Sequence, residues 1–269
     1  MVYDERLHEL SKASHPLKVL RIEPRQSLQE LVRGYYVLKA TKSSAPLGQW
    51  YLLPDNSPYL IFYLLAKGDS IVPAWSLVGP RSRHKIIRRY NRLFSFICAF
   101  RPGGLRPLID LPLSALRDQT IAVRELFPQE YEATFEQLTQ YALQNELTAF
   151  VASLETFLLH SIKKDSRDTH FAIQAFCQYW QRPKPSPKIA VIAKDLGYSE
   201  RQLRNLTQNH IGHSPKRISQ IIRFTHSLQH YGAQAAWASI AYASGYYDQS
   251  HMIAEYHKMV GLSPERLFS

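Results

Sequence analysis

The stretch ERQLRNLTQNH, residues 200–210, concentrates side chains that recognise nucleic acid. Arg201 and Arg204 carry planar guanidinium forks that match the two acceptors of a guanine edge, or a phosphate. Gln202, Asn205 and Gln208 carry amides that donate and accept at once, as an adenine edge requires. Helical spacing turns Leu203 and Leu206 the other way, so the polar set shares an outward face. Further on, QSHMIAEYHKMV, residues 249–260, repeats the layout, with Gln249, Ser250, His251 and Ile253 outward and Met252 inward. Between the two, Lys216 and Arg217 suit phosphate contacts that carry no sequence information. The competing reading of each group is a solvated polar face; Glu200 reads first as a favourable charge at a helix N-terminus.

Such residues read a duplex only when something presents them, and the sequence writes the presenting object twice. Ile192, Ala193 and Gly197 recur as Ile240, Ala241 and Gly245. Ser199 and Asp248 are helix-capping types, each followed at the fourth position by an apolar residue, Leu203 or Met252. Each unit ends in Gly-x-Ser-Pro, at Gly212 to Pro215 and at Gly261 to Pro264. Short helix, glycine turn, capped second helix and glycine stop make a helix-turn-helix. Gly197, Ser199, Gly212, Gly245, Asp248 and Pro264 are therefore expected to be structural. The segment 215–231 joins the units as a helix with one stripe, Ile218, Ile221, Ile222, Thr225 and Leu228. At the usual rise it spans about 25 Å, the right order to set two presented helices about one DNA turn apart. Trp237, Ile240, Ala241 and Tyr246 are expected in the core, and Arg223 in a structural ion pair, with Asp248 as its candidate partner.

The chain has 269 residues and a net charge of +11, unevenly spread. Residues 81–106 carry +8 with no acid, residues 107–182 carry −4, and residues 183–269 carry +5. Two basic zones flanking an acidic middle suggest a polyanionic partner. The first zone, RSRHKIIRRYNRLFSFICAFRPGGLR, leaves three readings open: the outer face of strands, a pocket for an anionic effector, or an auxiliary DNA contact. From about Leu28 to Phe100 the β-branched and aromatic runs predict strands, and from Leu105 to Trp180 the apolar period predicts helices. The tether RPKPSPK, residues 182–188, cannot be helical and marks a domain boundary. The expected organisation is thus an α+β part over 1–181, the linker 182–188, and an all-α domain over 189–269. LTAFVASLETFLLHSI is read as packing within the first part, with a dimer seam as the alternative. Trp50, Tyr63 and Trp75 are core residues that could alternatively line an effector cavity. Cys98 and Cys177 lie in apolar strings and read as buried thiols. No run reaches the ~18 apolar residues of a membrane span, and MVYDERLHEL lacks a signal-peptide layout, so a cytoplasmic protein without membrane association is expected.

On IAKDLGYSERQL, GHSPKRISQIIR, SIAYASGYYDQSHM and GLSPERLF, the closing ~80 residues resemble the DNA-binding domain of AraC/XylS-type bacterial transcriptional regulators. YLLPDNSPYLIFYL, VGPRSR and AFRPGGLRPL are similar to the cupin-like β-barrel or sandwich, with a helical extension, that precedes it in some members. The resemblance implies a sequence-specific regulator of transcription whose two recognition helices enter successive major grooves of double-stranded DNA. It further implies a small-molecule effector or a homodimer acting through the first part, and RNA polymerase as a partner if the protein activates. This chain departs from the family at Asn205 and Thr207, where an arginine and an aromatic are usual, and at Ala254, where an arginine is usual; Tyr256 keeps the aromatic. Because Ala254 offers only a methyl contact, the first unit is expected to dominate base reading. No catalytic motif, cofactor or metal set is expected, since residues 28–106 hold a single histidine, His84. The rival readings are a helical protein-interaction module without DNA affinity and, more remotely, a small-molecule enzyme built on the β part.

Overall fold

The computed structural model describes residues 18–39, 49–88, 92–163, 167–179, 188–230 and 236–268. Strand alternation builds the first half. β1 (Lys18–Ile22), β2 (Val32–Lys39), β4 (Tyr59–Lys67), β5 (Ser70–Val78), β7 (Arg92–Phe100) and β8 (Thr120–Ala122) form a six-stranded antiparallel sheet in the order β1-β2-β7-β4-β5-β8. β3 (Gln49–Leu52) and β6 (Lys85–Arg88) pair as a separate two-stranded sheet. Side chains alternate across the large sheet as the pleat demands. Leu60, Phe62 and Leu64 of β4 join Phe94, Phe96 and Cys98 of β7 on one face, while Tyr59 joins Tyr36, Val78 and Ile97 on the other.

The first face is closed by a helical hairpin, α1 (Tyr131–Gln144) and α2 (Leu147–His160). Phe150 of α2 enters an aromatic cluster, its ring centroid 4.6 Å from Phe96, 5.3 Å from Phe62 and 5.7 Å from Phe94. Leu154, Phe157 and Leu158 are buried in the same core, which settles α2 as internal packing. Trp75 stacks on Tyr131 at 5.9 Å and is core; the side chain of Trp50 lies outside the described residues. Helices begin later than the sequence suggests. Between Leu105 and Glu130 the chain makes short 3-10 turns and β8, because prolines 107 and 112 interrupt any longer helix.

The described residues from 189 onward form helices: α4 (Ile189–Asp195), α5 (Glu200–His210), α6 (Pro215–Gln229), α7 (Trp237–Ser244), α8 (Gln249–Val260) and α9 (Pro264–Phe268). Ahead of them, α3 (Arg167–Tyr179) stands before the tether in sequence, yet its Ile173 and Phe176 pack with Ile192, Leu203 and Ile218. Residues 182–187 of the tether lie outside the described residues.

One buried carboxylate holds the hairpin to the sheet. Glu155 of α2 accepts the Arg25 backbone N–H at 2.8 Å, the Arg25 Nε at 2.7 Å and the Tyr35 hydroxyl at 3.2 Å. Glu155→Ala leaves the buried Tyr35 hydroxyl unpaired and should lower stability by about 1–3 kcal/mol. Urea unfolding of the full chain checks this, with Glu155→Gln expected to retain more than half of the loss.

Candidate nucleic-acid interface

Both helix-turn-helix units form as their capping residues require. The Ser199 hydroxyl accepts the Gln202 N–H at 3.2 Å, and Gln202 Oε1 accepts the Ser199 N–H at 2.8 Å, closing a reciprocal cap on α5. The Asp248 carboxylate accepts the His251 N–H at 2.7 Å and caps α8. Gly197 and Gly245 make the turns with φ of +75° and +87°. Gly212 ends α5 at φ +89°, and a Cβ there would stand 2.9 Å from the Leu113 carbonyl oxygen and from Pro80. That position needs glycine twice over, for its backbone and for the approach of the upstream domain.

The linker helix α6 divides its stripe between the units. Ile218 and Ile222 pack with Leu203 and Ile192 of the first, whereas Ile221, Phe224 and Leu228 pack with Ile240, Met252 and Tyr256 of the second. Phe224, absent from the expected stripe, stacks edge-on against Tyr256 at 4.8 Å. Tyr256 is fully buried and its hydroxyl meets Ser227 Oγ at 2.7 Å, so this aromatic is structural. Thr207 is likewise fully buried.

The side chains expected to read DNA divide by placement. Arg201, Gln202, Arg204 and Asn205 lie exposed along α5, and Lys216 is exposed at the start of α6. Gln202 keeps part of its amide in the cap. Gln208 is half-buried at the far end of α5. On α8, Ser250 and His251 are exposed, Gln249 and Ile253 half-buried, and Ala254 exposed. His251 is held firmly: its Nδ1 accepts the Tyr247 N–H at 3.3 Å and its Nε2 lies 3.4 Å from Glu255. Arg217 differs from its neighbour, since its guanidinium turns back to the Ser82 carbonyl and to Gln220 at 3.2 Å.

Arg223 is in a structural ion pair, but its partner is Glu255 at 2.9 Å and not Asp248. Asp248 is occupied as a cap, while Glu255 is buried and also accepts from Gln220 Nε2 at 3.1 Å. The Arg223 guanidinium lies 5.6 Å from the Tyr246 ring centroid. Glu255 escaped the sequence reading because a lone acid amid polar residues signals nothing until α8 is docked on α6.

The upstream domain docks on this assembly through the first basic zone. Arg81 is buried, its backbone exchanging hydrogen bonds with Asp55 at 2.9 and 3.2 Å. The His84 N–H donates to the Met259 carbonyl at 2.9 Å, and Arg117 Nε donates to the Gly212 carbonyl at 2.7 Å. Leu53 is buried with Ile221 and Phe224. His213, fully buried, is held near a pKa of about 4 by desolvation first and then by Arg117 and Arg217. Burial likewise pushes the Cys177 thiol up to about 12 and raises that of Cys98, so neither is a ready nucleophile. Among the described residues no three His, Cys, Asp or Glu side chains stand together as a metal would need, and no helix is long and apolar enough to cross a membrane.

Comparison with known proteins gives two family matches. Residues 192–269 match a family model described as a helix-turn-helix domain, and residues 20–122 match a domain of unknown function, DUF6597. No curated relative matches the chain. Among solved structures, ToxT from Vibrio cholerae O395 is 13% identical with a TM-score of 0.43, covering 94% of this chain and 96% of that one. Unsaturated fatty acid bound wild-type ToxT from Vibrio cholerae strain SCE256 is 14% identical with a TM-score of 0.40, covering 94% of each chain.

Two outcomes follow from this geometry. Glu255→Ala strands Arg223, whose side chain is 21% exposed, and should cost about 2 kcal/mol in urea unfolding, with faster hydrogen exchange in α8 than in α5. His213 titrates below its unfolded value of 6.5, so the unfolded chain binds the proton first and stability is full above about pH 6.5 and lost as pH falls towards 4. Between pH 7 and 5 the wild type should lose about 2 kcal/mol more than His213→Gln.

Proposed function

Residues 192–269 are a helix-turn-helix domain of the AraC type, and from that premise we propose that the protein is a sequence-specific DNA-binding regulator of transcription, reading two successive major grooves with α5 and α8. The observation that carries this reading is the doubled unit on a shared spine: two capped helices, each polar outward and apolar inward, fixed by one linker helix of 15 residues, about 22 Å long. Arg201, Arg204 and Asn205 supply the base-reading groups of the first head, with Gln202 sharing its amide with the cap. Gln249, Ser250, His251 and Ile253 present a smaller surface on the second head, where Ala254 adds only a methyl group. His251 arrives pre-positioned by Glu255 and Tyr247, which lowers the entropy lost on contact. Lys216 serves the phosphate backbone.

The upstream α+β part is proposed as the controlling domain, through a small effector or self-association. Its hydrogen bonds to Gly212 and Met259 link it to the ends of both reading helices. A ligand that favours or opposes that docking shifts how the heads are held. In this reading the protein works by occupying a promoter and not by catalysis, with RNA polymerase a partner where it activates.

Selection of genomic fragments by the purified chain, followed by footprinting, tests the proposal. The expected result is protection of two adjacent major-groove segments on one side of the duplex. On that site, Arg201→Ala or Arg204→Ala should weaken binding by about 1–3 kcal/mol, whereas Lys216→Ala should weaken all sequences alike and reduce the salt slope by about 1. Binding no tighter to the selected fragment than to bulk DNA would refute the reading in favour of a protein-interaction module.

A further inference from the structure

The docking of the two halves leaves a cavity of about 450 Å³ where they meet. Ser82, Arg83 and Arg117 reach it from the upstream domain, Gln208 and Lys258 from the far ends of the two reading helices, and His213, Ser214 and Arg217 from the start of the linker helix. The upstream domain, the linker helix and both reading helices therefore share one set of walls.

The walls are cationic and their charge is only partly offset. Arg117 donates to a backbone carbonyl, that of Gly212, at 2.7 Å, and Arg217 to that of Ser82 and to the Gln220 amide. A carbonyl satisfies an N–H but leaves the guanidinium charge in place. Among the described residues no carboxylate lies within ion-pair distance of Arg83, Arg117, Arg217 or Lys258. Glu255 and Asp118 act on Arg217 at longer range and Asp118 also accepts the Ser82 N–H at 2.8 Å and the Ser82 hydroxyl, but burial outweighs both acids and Arg217 is held below its ordinary pKa. The N-terminus of α6 adds its partial positive charge at Ser214. His213 is a second, independent sign. Its ring is buried beside the cavity, hydrogen-bonded to the Arg81 backbone, and leaves Nε2 without a partner among the described residues. A buried ring nitrogen with no partner is costly unless something else satisfies it.

We propose that this cavity binds a small organic oxyanion, a phosphate monoester or a carboxylate, which bridges the upstream domain to both heads. Its volume falls in the range of small-molecule sites and exceeds what a bare phosphate fills. A DNA phosphate is the poorer occupant. The exposed readers Arg201 and Arg204 lie nearer the N-terminus of α5, whereas the cavity sits at its other end and is walled by the upstream domain. The regulatory consequence rests on the DNA-binding reading above; the binding itself does not.

Calorimetry on the full chain without DNA separates the two. Titration with sodium phosphate, and separately with sodium acetate, at constant ionic strength should give a saturable heat with at least one of them, and the tighter anion names the headgroup. Arg83→Gln, at an exposed side chain, should weaken that binding roughly tenfold, as should Arg117→Gln. Absence of a saturable heat for both anions, or unchanged affinity in both variants, overturns the site. If the anion instead binds but shifts the affinity for the selected DNA less than twofold, the site stands and its regulatory role falls. Loss of DNA affinity in Arg83→Gln without any anion binding in the wild type would assign the cavity to the DNA backbone.

Discussion

The divided stripe of α6 is the constraint on which the rest of the molecule depends. A helix of this length offers one apolar surface, and here its Ile218 side closes the first head while Phe224 and Leu228 close the second. Each head therefore completes its core with residues of the spine. Their relative placement is then a property of packing and not of a flexible joint. For the proposed reading of DNA by two short helices this matters: the geometry between α5 and α8 is set by the fold, so the entropy of aligning them is already lost on folding. The Arg223–Glu255 pair reinforces this from the polar side, tying spine to second head where packing alone would leave a buried acid.

How far the sequence reveals this depends on whether the signal is local. Ser199 and Asp248 announce their caps because a cap bonds to the helix turn beside it, and the glycine stops announce themselves for the same reason. Strand alternation was equally legible, since β4 and β7 send successive residues to opposite cores. Long-range choices were not. Asp248 and Glu255 are both acids within reach of Arg223 in sequence, and only the docking of α8 shows that the first is committed to its own helix. Helix α3 precedes a proline-rich tether, so its place in the chain points upstream, while Ile173 and Phe176 answer to a core formed later. The helical period after Leu105 was overruled by Pro107 and Pro112. The basic run at 81–106 had three open meanings because periodicity cannot say that Arg81 to His84 leave the strand pattern and dock on another domain.

The character of that docking differs from the packing inside either half, and the difference bears on control. Within the heads the contacts are buried aliphatic and aromatic surfaces, costly to separate. Across the halves they include hydrogen bonds to main-chain carbonyls, at Gly212, Met259, Ser82 and Ile218, together with Leu53 in the second head's core and the close approach of Gly212 to Pro80 and Leu113. Hydrogen bonds of this kind exchange with water at little net cost, so such an interface can open without unfolding what it joins. Arginines bound to carbonyls also keep their charge, which repels across the same interface. An arrangement of rigid heads, a polar contact and partly offset positive charge is internally consistent: mutual repulsion of Arg83, Arg117, Arg217 and Lys258 opposes the docking, and the proposed anion between them would reverse the sign. The stiffness of the spine then ensures that whatever the upstream domain does is felt by both heads together.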